Sequence, residues 1–261
     1  NDDIAISASR SSLSANRFLN GSIGLVLNNI GNTGIQWETT HRFRAGLDLI
    51  SKNDLLGVSL NFFKSYTNNL LTMKSLPEIT GEGYYWSNDG SLENIGADLG
   101  LRVKLINTKD WKWEMGANVA AYKNKITALP DGDYTTTLYG ANVLTSVGRP
   151  AGVFYGYETA GVYATQQEAE ADGHTLVATT GEVTAFGAGD MRFVDHVDDN
   201  IINEKDMVVI GDPNPDFYGN LYSNLSYKRF SLSMNFNYSY GNDIYNYQRA
   251  QLEGGSQFFN Q

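Results

Sequence analysis

Between Phe230 and Tyr240 the chain reads FSLSMNFNYSY, in which every second residue is large and apolar. Phe230, Leu232, Met234, Phe236, Tyr238 and Tyr240 fall on one side of an extended chain; Ser231, Ser233, Asn235, Asn237 and Ser239 fall on the other. Side chains of a strand point alternately to opposite faces, so a period of two predicts a strand with one dry and one wet face. What covers the dry face decides what the chain is.

The same pattern recurs along the sequence, predicting strands at about 35–50, 55–66, 93–106, 111–123, 217–227 and 230–241. Leu47 and Leu49 alternate with Asp48, Leu99 and Leu101 with Asp98 and Arg102, and Trp113 and Met115 with Lys112 and Glu114. Two shorter stretches, DIAISAS and SIGLVLN, are weaker candidates near the start. Tight connections at Ser51–Asp54, Asn107–Asp110 and Tyr227–Phe230 each join two long alternating segments, as hairpins require. The other connections are long, at about 67–92 and 127–216. Strands of about 12–16 residues exceed the usual soluble length of roughly 5 or 6. Long strands with short turns at one end and long loops at the other predict an all-β, antiparallel transmembrane barrel segment with long extracellular loops. Arg42, Arg44, Asp48, Arg102, Lys104 and Glu114, on the wet faces, would then line the lumen.

A soluble β-sandwich also alternates, but its turns come every 8 to 12 residues or so and its wet face carries many charges. Here charged residues are 18% of the 261, and Ser, Asn and Gly fill the wet faces. Aromatics gather beside the tight turns, as in interfacial girdles: Trp111 and Trp113 after one, Tyr227 and Phe230 around another. A small closed outer-membrane barrel and a soluble β-rich surface binding or adhesion module remain as alternatives. The net charge of -10 argues against a nucleic-acid partner. No apolar run reaches the roughly 20 residues of a membrane helix, which says nothing about a barrel. No signal peptide is visible in NDDIAISASR. The absence of cysteine excludes disulfides and thiolate metal sites.

The segments GRPAGVFYGYETAGVY (148–163) and GDMRFVDHVDDNIINEKDMVVIGDPNPDFYGNLYSNLSYKRFSLSMNFNYSYGNDIYN (189–246) resemble the C-terminal part of SusC/RagA-type TonB-linked outer-membrane transporters. WETTHRFRAGLDL, SLENIGADLGLRVKLI and WKWEMGANVAAYKNKITAL are similar to that family's earlier barrel strands, so the matches run in order over roughly residues 35–246. The resemblance implies part of the wall of a barrel of about 22 strands. It implies residence in the cell outer membrane, import of glycans or peptides as nutrients in Bacteroidetes, a SusD-like surface lipoprotein as partner, and energy from the TonB complex. The plug domain, the region that contacts TonB and the final strands are expected to be absent from this sequence.

Candidate chemistry is sparse. DHVDDNIINEKD carries Asp195, Asp199, Ile201, Asn203 and Asp206 at positions 1, 5, 7, 9 and 12 of a candidate calcium loop. Val197 stands at position 3 and Asn200 at position 6, where such loops favour an oxygen ligand and Gly; the competing reading is an acidic turn held by its own hydrogen bonds. Tyr84, Tyr85 and Trp86 in one predicted loop, and Phe154 and Tyr155 in the other, are candidate contacts for a ligand or partner. ATQQEAEADG predicts a short helix with Thr165 as N-cap and Gly173 as stop. No catalytic set can be assembled from His41, His174 and His196 or from any serine, and no other cofactor is implied, so enzymatic activity is not expected.

Overall fold

The computed structural model describes residues 9–17, 22–76, 84–129, 132–178 and 180–253. Its first strands are β1 (Ser12–Arg17), β2 (Ile23–Asn29), β3 (Thr39–Ile50), β4 (Leu56–Ser75), β5 (Tyr84–Asn107), β6 (Trp111–Ala128), β7 (Tyr134–Leu138) and β8 (Ala141–Thr145). Then follow β9 (Val153–Tyr157), β10 (Thr159–Val162), helix α1 (Gln166–Asp172), β11 (Thr175–Val177), β12 (Val183–Ala185), β13 (Met191–Phe193), β14 (Ile201–Ile202) and β15 (Met207–Gly211). The last are β16 (Phe217–Tyr227), β17 (Phe230–Tyr240) and helix α2 (Tyr247–Glu253). The chain divides into two compact units: β1–β6 with β16 and β17, and β9–β15 with both helices, the divide falling within β7 and β8.

In the first unit six strands form one antiparallel sheet ordered β17-β16-β6-β5-β4-β3. The register keeps like with like across its width. Leu47 faces Leu60, Leu60 faces Leu99, and Leu99 faces Val119, while one residue along Asp48, Ser59, Gly100, Asn118 and Asn220 form a polar row. A slip of one residue would move every apolar side chain to the wet face, so the alternation itself fixes the pairing. Gly219 is required where it stands: a Cβ there would meet the Asn118 carbonyl at 1.9 Å, and the Tyr238 hydroxyl instead donates to that carbonyl at 3.0 Å. β1 and β2 pair with each other rather than with β3, so they do not extend the sheet toward the small closed barrel considered above. Of the first weak candidate, residues 3–8 lie outside the described residues.

Two predicted loops prove to be structured. Residues 67–75 and 84–92, expected in an external loop, continue the β4–β5 ladder, with Thr67 opposite Leu92 and Ser75 opposite Tyr84. The register shifts between Thr67 and Leu70 and again before Thr72, and Asn69 takes a left-handed φ of 55°. A bulge adds a residue to one strand and breaks the period of two, which hides the strand from a pattern search. The span 127–216, also expected as a loop, holds the second unit. There Tyr163, Ala169, Phe186 and Ile202 are buried together, with Tyr157, Leu176 and Phe193 packed against them. β11 lies between antiparallel β12 and parallel β14, and β15 pairs with β9. Helix α1 starts as expected: Thr165 accepts from the Glu168 amide, and Gly173 ends it at φ 74°.

Candidate functional site

Within the first unit no other described element packs over the apolar face of the six-stranded sheet. Phe230 is 78% exposed and Phe236 63%, and Phe43, Leu47, Phe62, Leu101 and Leu232 are exposed with them. Each such side chain left in water forfeits about 1.5–3 kcal/mol. Over the whole face the loss would exceed the ~5–15 kcal/mol on which a folded domain stands. Hydrocarbon removes that penalty. The face is also bounded by aromatic pairs: Trp111 with Tyr227 at 4.3 Å between ring centres near the tight turns, and Phe217 stacked on Tyr240 at 5.1 Å at the far end of β16 and β17. From Phe230 to Tyr240 is ten residue steps, roughly 34 Å along the strand. At a tilt near 45° that spans about 25 Å, the height of the apolar band of an outer-membrane barrel.

The opposite face is hydrophilic. Asn118 donates to Asn220, Asn220 to Asn235, and Asn61 to Asp98, each between neighbouring strands. Near the tight turns Asp54, itself at φ 54°, accepts from both Arg102 and Lys104, and Arg102 lies 3.5 Å from Glu114. Hydrogen bonds from Arg102 first, then Lys104, hold the Asp54 carboxyl at about 2. The Tyr222 ring lies across Gly116 and its hydroxyl reaches Glu114 at 3.4 Å. Arg102 and Lys104 are therefore joined through Asp54 and Glu114 through Arg102, whereas Arg42, Arg44 and Asp48 stand exposed on the same face, without an ion pair among the described residues. Asp54 was not singled out in the sequence. Its signal was a carboxylate in a tight turn beside cations at alternate positions of a neighbouring strand.

The candidate calcium residues share one loop, but their oxygens are aimed at the backbone. Asp195 accepts from the amides of Val197, Asp198 and Asn200; Asp206, fully buried, accepts from those of His196, Val197 and Asn203. Burial works to raise the Asp195 carboxyl, and the three amides outweigh it and hold it below the usual carboxylate range. Asp199 accepts from the Ile201 amide, and Asn203 caps the 3₁₀ turn Glu204–Asp206. Asp198 and Asn200 adopt left-handed backbone to aim these amides. No group of three or more acidic or histidine side chains among the described residues converges on a point that would hold a metal ion. This arrangement does not fit calcium: position 3 offers only the apolar side chain of Val197, and the carboxylates at positions 1 and 12 each already take three N–H donors.

The candidate contact aromatics, expected in loops, lie on strands. Tyr84, Tyr85 and Trp86 lie on β5, with Trp86 opposite Met73 and its carbonyl accepting from Asn32. Phe154 and Tyr155 lie on β9 of the second unit, where the Phe154 ring stands 6.4 Å from that of Tyr245. The strongest polar cluster there was missed. Asp172 accepts from the Tyr163 hydroxyl at 2.5 Å and from Arg192 at 2.9 Å, and pairs with His174 at 3.1 Å. The Tyr163 bond, with Arg192 and His174, holds Asp172 below its ordinary range, and burial, aided by Asp172, pushes the Tyr163 phenol up to about 12. These residues are up to twenty-nine positions apart in sequence with no common period, so only the fold brings them together.

No family model matches the chain. It is 31% identical over 243 residues to TonB-dependent receptor P3 of Formosa agariphila, a match covering 89% of this chain and 23% of that protein. It is 28% identical over 218 residues to TonB-dependent receptor SusC of Bacteroides thetaiotaomicron, covering 82% of this chain and 20% of that one. The chain thus spans about a quarter of the length of the curated relatives it matches. In fold it is similar to a solved RagAB peptide transporter, with a TM-score of 0.70 at 24% identity over 99% of this chain and 27% of that one. The relatives are receptors and transporters rather than enzymes. By sequence the chain belongs, over most of its length, to the TonB-dependent receptors, proteins of the outer membrane, and in fold it is similar to a portion of the RagAB transporter.

Proposed function

We propose that the six-stranded sheet is a stretch of barrel wall in a TonB-dependent importer that carries nutrients, glycans or peptides, across the outer membrane. The observation that carries this reading is the bare apolar face, bounded at both ends by aromatic pairs at the spacing of a bilayer's hydrocarbon. The outer edges of β3 and β17 support it, since an edge facing lipid leaves backbone groups unpaired at several kcal/mol each and calls for further strands. In this reading the short turns face the periplasm, and the polar face with Asp54, Arg102 and Glu114 lines the lumen. A SusD-like lipoprotein would meet the external side, and the TonB complex would supply the energy for import.

The test is purification of the native polypeptide from outer membranes in detergent, with uptake of labelled oligosaccharides and peptides by cells that have or lack it. The expected result is a polypeptide several times longer than this chain, a co-purifying surface lipoprotein, and uptake that stops when the proton-motive force is collapsed. A protein recovered from the aqueous fraction, or uptake unchanged by its deletion, would contradict the reading.

A further inference from the structure

On the apolar face, β5, β6, β16 and β17 enclose a groove of about 460 Å³. Leu101, Trp113, Met234 and Phe236 form its walls, and Ala117 and Ser223, small residues on the two middle strands, form its floor. The Ser223 hydroxyl accepts from the Trp113 indole N–H at 3.0 Å, which gives the indole its acceptor and holds the ring as one wall. At the turn end of the same strands the charge is reversed from that of the chain. The whole sequence carries -10, yet the two turns that close β5–β6 and β16–β17 carry Lys109, Lys228 and Arg229 against Asp110. All three cations are exposed and none makes an ion pair among the described residues. The turns are joined to each other, because the Lys228 amide donates to the Asp110 carbonyl at 2.9 Å. Lys228 Nζ stands 5.2 Å from the centre of the Tyr227 ring, and that ring packs on Trp111. From Lys228 to Ser223 is five residue steps, roughly 17 Å along the strand.

A cationic cluster, an aromatic pair and an apolar groove thus follow one another down the same strands. That is the sequence of headgroup, glycerol level and acyl chain in a lipid. We propose that this track is a binding site for an anionic phospholipid of the periplasmic leaflet, its phosphate held by Lys109, Lys228 and Arg229 and one acyl chain seated in the groove. The site rests on the lipid-facing reading of the sheet given above. Charge complementarity selects the occupant: a zwitterionic lipid fills the groove equally well but gains less at the turns.

The full native receptor, reconstituted in phosphatidylcholine nanodiscs containing a minority of phosphatidylglycerol, is released into detergent, and retained lipid is counted by native mass spectrometry. Wild type is expected to retain phosphatidylglycerol. Lys228→Gln with Arg229→Gln should lower its retention about thirtyfold, the weight of two charges at a membrane surface, with phosphatidylcholine unaffected. Ala117→Phe, which fills the groove floor and leaves the turn charges, should lower retention of both lipids. Equal retention by wild type and both variants, all of them inserted, would overturn the site and leave the wall reading intact. Failure of the wild type to enter nanodiscs at all would overturn the wall reading, and the site with it.

Discussion

The long sheet and the second unit keep their apolar residues in opposite places. On the sheet Phe230 and Phe236 are largely exposed, whereas in the second unit Tyr163 and Ile202 are almost completely buried. Polar groups are handled differently too. In the second unit carboxylates turn inward to capture amides and hydroxyls, as Asp206 and Asp172 do, because water is excluded and unpaired donors are costly. On the sheet, polar side chains stay on one face and bond their neighbours across strands. One chain therefore obeys two solvents: its second unit is built for water, and its sheet for hydrocarbon on one side.

Substitutions that hurt one region and spare the other sharpen this contrast. The largest effect is expected for Asp206→Ala, which strands three amide donors around a buried site and should cost upward of about 3 kcal/mol. Hydrogen exchange in the intact receptor should show the amides of β14 and the following turn losing protection while the sheet keeps its own. A chelator should leave those amides unchanged; protection that falls with chelation would revive calcium.

Next comes Leu101→Arg, which puts a charge on the lipid face and should cost about 2–4 kcal/mol near the bilayer midplane. Assembly, measured as the heat-modifiable, protease-resistant fraction in outer membranes, should fall, while Asn220→Arg on the polar face assembles like wild type. Equal assembly of both would break the contrast. A smaller loss, about 1 kcal/mol, is expected for Thr165→Ala, confined to exchange in α1.

The smallest effect is electrostatic. The Asp54 carboxyl sits below its unfolded value, so its contribution is present above pH about 4 and fades as pH falls toward about 2. Followed by isotope-edited spectroscopy of the carboxylate, Asp54 should titrate near the lower value, and Lys104→Met should move the midpoint upward. A midpoint at the ordinary aspartate value in wild type would remove the network.

How much of this was legible follows from what each element depends on. β16 and the start of β17 could be read to the residue, because alternation from Phe217 to Tyr227 and from Phe230 onward is a local property with a two-residue turn between. Helix α1 was legible from Thr165 and Gly173 for the same reason. The extensions of β4 and β5 were not, since bulges near Asn69 shift the faces and make strand look like loop. The strands of the second unit, some as short as Ile201–Ile202, are too brief to show a period and exist through long-range pairing, as with Leu176 and Ile202. Asp195 and Asp206 were read in the sequence as ends of a candidate calcium loop. Their spacing suggested a cation, whereas the fold gives them backbone amides, a partner that leaves no mark on side-chain sequence.

The most direct test of the central claim is a spin-label scan along β17 in the membrane-inserted receptor. The sequence contains no cysteine, so each thiol introduced from Phe230 to Tyr240 is unique within this stretch. The expected result is a period of two: labels at Leu232, Met234 and Phe236 relax with oxygen dissolved in the bilayer, and labels at Ser233, Asn235 and Asn237 with a water-soluble nickel chelate. Labels at Leu232, Met234 and Phe236 that respond to the chelate, or that are shielded from both reagents, would contradict a lipid-facing sheet.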